Sequence, residues 1–161
     1  MALNAYLTIK GYQQGDIKGS ATVKGREGRI VVIACSHEID SARDPESALT
    51  TGKRRHSPLV ITKELDRSSV PLRQALVANE TLTLWELQFW RAMTRGTEKQ
   101  HFTIRLVNAQ VESIRLDLPN TRSPDTSKLP EMERIAFNDE RIEWIWTDGL
   151  VAEDDWSMGS P

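Results

Sequence analysis

Leu3, Ala5, Leu7 and Ile9 occupy alternate positions near the start of the chain, and alternate side chains on a strand share one face. Residues 3–9 therefore read as a first strand, with Gly11 and Gly15-Asp16 as turn. A second turn at Gly25 and Gly28 leads into residues 29–39, rich in β-branched side chains and read as a second strand. Residues 40–56 then change character: Asp40, Ser41, Asp44, Pro45, Glu46, Ser47, Thr50, Thr51 and Gly52 are turn formers, and Lys53-Arg54-Arg55 closes the stretch. The expectation is a long loop without secondary structure, and such loops in compact domains are usually functional or disordered. Leu59, Val60 and Ile61 mark a third strand. Ser68-Ser69-Val70-Pro71 offers capping residues and a proline suited to a first helical turn, with Leu72, Ala75 and Leu76 at helical spacing, so one short helix should end near Asn79.

The second half returns to strands whose alternation slips. Over residues 81–91 the apolar set moves from Leu82 and Leu84 to Trp85, Leu87 and Phe89, which calls for a bulge near Leu84 or for cover on both faces. Residues 102–116 slip twice, from Phe102, Ile104 and Leu106 to Val107, Ala109 and Val111, and again to Ile114 and Leu116. Residues 132–147 move from Ile135 and Phe137 to Ile142, Trp144 and Trp146, after a polar loop, 119–130, with three prolines. Changes of phase in long strands fit the bulges and bends by which sheets curl. The fold class is therefore mainly β, an antiparallel barrel or sandwich with one inserted helix.

At 161 residues the chain suits a single domain, 1–161, with room to bury roughly two-thirds of its unfolded surface. The 23 acidic and 21 basic residues leave a formal charge of −2, which does not favour nucleic acid. A lone cysteine, Cys35, allows neither an intramolecular disulfide nor a thiol metal cluster. The N-terminus has no basic segment ahead of an apolar run, and no stretch approaches the ~18 apolar residues of a membrane helix. Synthesis in the cytoplasm is expected, with neither membrane insertion nor a cleaved signal peptide.

Catalytic chemistry is sparse. His37 adjoins Glu38 but lacks the second histidine of a zinc-protease helix, so it reads as a partly exposed strand residue. Cys35, Ser36 and His37 are neighbours, but adjacent strand residues point to opposite faces, and Cys35 reads best as a small buried thiol. No phosphate loop, dinucleotide fingerprint or nucleophile elbow is present, and no catalytic, cofactor or metal residue is assigned. Lys53-Arg54-Arg55-His56 reads as a solvated or interface segment, Glu153-Asp154-Asp155 as a solvated end, and Trp85, Trp90, Trp144 and Trp146 as core or interface.

Several segments in order carry a resemblance: Asp16-Ile17-Lys18-Gly19-Ser20, Arg26-Glu27-Gly28-Arg29-Ile30, His56-Ser57-Pro58-Leu59, and Thr62-Lys63-Glu64-Leu65-Asp66-Arg67-Ser68-Ser69. The strand over 102–116 and the closing Arg141-Ile142-Glu143-Trp144-Ile145-Trp146-Thr147-Asp148-Gly149 extend it almost end to end. Their order and spacing resemble the Hcp (haemolysin-coregulated protein) family of type VI secretion systems, itself similar to phage tail-tube subunits. The resemblance implies a closed β barrel with a flanking helix, assembled into a homohexameric ring. Such rings stack into a tube, tipped by a VgrG-type spike and propelled by a contractile sheath, with effector proteins carried in the bore or on the spike. It implies no enzyme activity. With only residues 150–161 after the last expected strand, no fused effector domain is expected.

Two sets of residues follow from that implication. The second strand contributes to the inner wall in the family, and alternation assigns Ala34, Ser36 and Glu38 to the face opposite Cys35 and His37, hence to the lumen. The loop after it reaches towards the next ring, which makes Arg43, Asp44, Glu46, Lys53, Arg54 and Arg55 the expected stacking residues. The competing readings are a monomeric β-barrel module for a small ligand or carbohydrate, and a small hydrolase using Cys35, Ser36 or His37.

Overall fold

The computed structural model describes residues 1–43, 45–47 and 49–155, with side chains for all of these except 42, 43 and 50–53. Among them lie thirteen strands and one helix: β1 Ala5–Gly11, β2 Gly15–Ile17, β3 Ile30–Val32, β4 Ala34–Ser36, β5 Ile39–Arg43, β6 Thr50–His56, β7 Leu59–Glu64, α1 Ser69–Val77, β8 Leu82–Ala92, β9 Glu98–Val107, β10 Gln110–Asp117, β11 Met132–Asn138, β12 Arg141–Trp146 and β13 Val151–Asp155. A seven-stranded sheet runs β13-β12-β9-β8-β1-β2, with β3 also on β1; a four-stranded sheet runs β10-β11-β7-β4; β5 and β6 form a separate two-stranded ribbon. Every pairing between these strands is antiparallel.

The chain crosses between the two large sheets at three corners. Val32 ends β3 in one sheet and Ala34 begins β4 in the other, while the Ile33 amide between them donates to the Thr62 carbonyl at 2.9 Å. The expected strand over 102–116 breaks in the same way into β9 and β10, where Asn108 takes a left-handed φ of 52°. There the Leu82 amide bonds to the Ala109 carbonyl. The third corner joins β11 to β12, with the Glu140 amide on the Val107 carbonyl. These corners curl the sheets over one another, but the described ladders run as separate sheets and do not form the continuous closed ring expected of a barrel.

Slipped alternation marks real register shifts. Lys10 pairs with Leu84 and Gly11 with Leu82, so Thr83 is the extra residue, one position from the expected bulge. The bulge lets Leu82, Trp85 and Leu87 all point inward. Further shifts lie between Phe89 and Trp90 and between Val111 and Ser113.

The core fills the space between the sheets. Leu7, Ile9, Ile30, Val32, Trp85 and Leu87 come from one sheet and Leu59, Ile61, Ile135 and Phe137 from the other. Trp85 meets Phe137 edge-on at 5.4 Å between ring centroids, a preferred aromatic geometry. Each large side chain so buried contributes about 1.5–3 kcal/mol. Leu72 and Ala75 close the core from α1, which the sequence places within a few residues of its observed bounds.

Two family-like segments have a packing explanation. The segment between β2 and β3 folds back on itself through amide bonds from Gly19 to Gly28, Ala21 to Arg29 and Gly28 to Ala21. A Cβ on Gly19 would lie 2.6 Å from the Ile30 Cα and 2.7 Å from the Arg29 oxygen, so only glycine fits. Arg26, on the same excursion, lies buried between the rings of Tyr6 and Trp90, 4.7 and 4.0 Å from their centroids. Its guanidinium also faces the Glu98 carboxylate at 2.7 Å, so cation–π attraction and an ion pair together compensate its burial.

The expectation that residues 40–56 form a loop is corrected. Ile39 pairs with His56, Asp40 with Arg55, Ser41 with Arg54 and Arg43 with Thr50, so most of the stretch is a β hairpin. Alternation failed to reveal it because none of its described side chains joins the apolar core, and Ile39 itself is 42% exposed. Asp44 lies outside the described residues.

Candidate functional site

Burial of charge first singles out the support of α1. Leu59, Ile61 and Lys63 share the inner face of β7, and Glu133, Ile135 and Phe137 share that of β11. The strand register sets Lys63 directly opposite Glu133, so two charges enter the core together. Both side chains are 0% exposed; Lys63 Nζ donates to Glu133 Oε1 at 2.5 Å, to Ser69 Oγ at 3.2 Å and to the Glu64 carbonyl at 2.8 Å, and lies 3.0 Å from Asp66 Oδ1. Ser69 Oγ and Arg73 Nη1 donate to the two Glu133 oxygens at 2.7 and 2.8 Å. Burial pushes the Glu133 carboxyl upward, but the bonds from Lys63, Ser69 and Arg73 prevail and hold it below the usual range. Asp66 closes the set by accepting from the Ser68 amide at the start of α1. The network ties the helix to both central strands. Inward phase at Lys63 and at Glu133 is the sequence signal for it, but phase alone names no partner for either charge.

The second cluster lies at the root of the β5–β6 hairpin. His56 Nε2 is 2.7 Å and Arg54 Nε 2.8 Å from the same oxygen, Oδ2 of Asp154 on β13. The solvated end expected at Glu153-Asp154-Asp155 is thus corrected: these residues form an edge strand on β12, and Asp154 is engaged. Hydrogen bonding from Arg54 is the main reason that the Asp154 carboxyl sits below the usual range, with His56 assisting. The His37 ring lies 5.6 Å from the His56 ring. Burial, then the charge His56 would carry, lowers the His37 pKa, against the opposing pull of Asp139.

The remaining expected residues are scattered. Arg54 is turned to Asp154 of its own chain, whereas Arg55 and Glu46 are exposed; the side chains of Arg43 and Lys53 are not among those described. Ala34, Ser36 and Glu38 are exposed, on and just after β4. Cys35 is exposed too, which corrects the buried thiol. It stands opposite the buried Ile61 on the edge strand β4, and partial desolvation pushes its pKa up to about 11, which keeps the thiol protonated at neutral pH. Of the tryptophans, Trp85 is core, Trp90 covers Arg26, and Trp144 packs against the core margin. Among the described residues no group of three or more His, Cys, Asp or Glu could hold a metal ion, and no helix is long and apolar enough to cross a membrane.

Exposed apolar residues lie on the helix and along sheet margins. Val70 and Val77 stand out on α1, Leu116 on β10 with Leu118 just after it, and Val151 on β13 with Leu150 just before it. Among the described residues both β10 and β13 end a sheet, and a strand in that position presents one row of backbone groups outward. A sheet edge flanked by apolar side chains is suited to receive another chain.

This architecture is shared with proteins already solved. "Crystal structure of Hcp protein" describes one chain that superposes with a TM-score of 0.87 at 28% identity, covering 95% of this chain and 97% of that one. Hcp1 from the E. coli EAEC 042 pathovar, in a mutant form, superposes at 0.84 with 30% identity, covering 96% and 99%. The "Major exported protein" of Pseudomonas aeruginosa is 33% identical over 166 aligned positions, covering 97% of this chain and 96% of that protein. The sequence profile "Type VI secretion system effector, Hcp" matches residues 6–146. Fold and sequence thus define a mainly β protein of a type VI secretion system. The chain belongs to the Hcp family of tube proteins.

Proposed function

We propose that this chain is a structural, non-catalytic subunit of the type VI inner tube, folded as a single domain over residues 1–161. It assembles into hexameric rings through its sheet edges, and the rings stack. The tube bears a VgrG-type spike, is driven by a contractile sheath and carries effector proteins out of the cell where the subunits were made. The observation that carries this reading is the near-complete superposition on a solved Hcp chain. The exposed margins at β10 and β13 support it, since a head-to-tail contact that closes on itself produces a ring and stacking extends it to a filament. Native mass spectrometry tests it: the expected species is near six times 18.2 kDa. A strictly monomeric or dimeric protein at high micromolar concentration would overturn the ring and favour a ligand-binding module.

Within that ring Ala34, Ser36 and Glu38 face the bore and the β5–β6 hairpin reaches the neighbouring ring. Exposure of all three residues is compatible with a lumen wall. Ser36→Gln is expected to leave the hexamer intact and to reduce retention of bore-carried effectors in pull-downs. Unchanged retention of every such effector, or a dissolved hexamer, would remove Ser36 from the lumen.

A further inference from the structure

We propose that Asp154 is a positioning residue for the β5–β6 hairpin: from the edge strand β13 it clamps Arg54 and His56 and so sets the angle at which the hairpin leaves the body. The inference rests on the reading of that hairpin as the ring-stacking element and adds what orients it.

A two-stranded ribbon is marginal in water unless it packs on something. Among its described side chains Ile39, Asp40, Ser41 and Arg55 are all exposed and pack on no core. At its base the strands are joined by the Ser57 amide to the Glu38 carbonyl and by the Glu38 amide to the Ser57 hydroxyl, at 2.9 and 2.8 Å. Those bonds hold the two legs together without fixing their direction. A direction requires a bond from a leg to the body, and Asp154 supplies two, to Arg54 and His56, from points 100 and 98 residues away in the chain.

Alternation explains why the three side chains meet. Arg54 and His56 are two apart on β6 and share a face. On β13, Asp154 is the cross-strand partner of Ile142, which is fully buried, so Asp154 lies on the inward face, while Glu153 and Asp155 are exposed. A carboxylate there, with its side chain only 16% exposed, demands hydrogen bonds. The His56 ring covers it with 0% side-chain exposure, and Arg54 brings the charge. The His37 ring lies 5.6 Å from that of His56, and the Asp139 charge acts on His37 in turn. The depressed Asp154 pKa keeps its carboxylate ionised at neutral pH.

The test uses the full chain and reads three quantities: ring formation by native mass spectrometry, amide hydrogen exchange by segment, and tube length by electron microscopy. Asp154→Ala should retain hexamers, speed exchange of β5 and β6 amides by about tenfold, leave β8 and β9 amides unchanged and yield few or short tubes. Arg54→Met should reproduce this from the other side of the contact. His56→Gln, which keeps a donor, should retain more hairpin protection than His56→Leu. Equal exchange and normal tubes in Asp154→Ala would overturn the clamp. Faster exchange throughout β8 and β9 would also overturn it, by making Asp154 a general stabiliser, and so would loss of the hexamer, by placing Asp154 in ring closure. If a protein with the hairpin shortened stacks normally, the stacking role itself fails, while the exchange arm still judges the clamp.

Discussion

Lys63→Met is expected to destabilise the folded subunit by about 3–5 kcal/mol, the largest effect of any single substitution argued from the structure. Methionine fits the stem of the lysine but leaves Glu133 buried without its shortest partner, the ammonium 2.5 Å away. Ser69 and Arg73 would still bond the carboxylate, which places the cost within that range instead of above it. Urea unfolding of the dissociated subunit reads it directly. The double variant Lys63→Met/Glu133→Leu should recover most of the loss, because it removes the burial cost of both charges. A single-variant loss under about 1 kcal/mol would show that water reaches the pair. The acid limb follows in sign. The carboxyl of Glu133 lies below its ordinary value of 4.5, so its contribution is complete above that pH and is lost as pH falls through the lower folded value.

Replacing residues 43–51 by a short Gly-Ser link should abolish tubes and secretion while leaving soluble hexamers. The cut removes the outer part of the hairpin and spares the pairs Ile39–His56, Asp40–Arg55 and Ser41–Arg54, so the root and its bond to Asp154 persist. Only reach towards the next ring is lost. Exposed charge pairs contribute about 0–1 kcal/mol each, but a symmetric ring repeats every contact. Since about 1.4 kcal/mol is tenfold in affinity, even modest contacts repeated around a ring shift stacking by orders of magnitude. Wild-type stacking should weaken as salt rises, since exposed charges are screened. Tubes of normal length from the shortened protein would end the stacking role. Loss of the hexamer would move the hairpin into the contact between neighbours in one ring.

Ring closure and stacking thus fall to different parts of the chain in this reading. Sheet margins with exposed Leu116, Leu118, Leu150 and Val151 suit lateral association, whereas the polar hairpin suits an electrostatic contact that can be made and broken.

Periodicity determined the elements that have one dry face. β1, β7, α1 and the bulge beside Leu84 were legible because a buried face imposes a repeat on the residues that fill it. The order of short family-like segments determined the family. Tertiary structure alone decided the rest. The described face of the β5–β6 hairpin that turns inward carries Arg54 and His56 instead of apolar residues, so no apolar alternation marks its strands. The run 29–39 divides among three strands in three sheets, with the Ile33 amide bonded to Thr62 at the first break and Glu38 bonded to Ser57 at the second, partners far along the chain. Lys63 with Glu133, and Arg54 and His56 with Asp154, are pairs made by strand register and sheet edges across 70 to 100 residues. A single sequence shows that a charged residue falls on an inward phase. Which opposite charge will meet it is settled only when the strands have paired, because the compensating partner is chosen by distance in space, and Coulomb attraction and hydrogen bonding act only there.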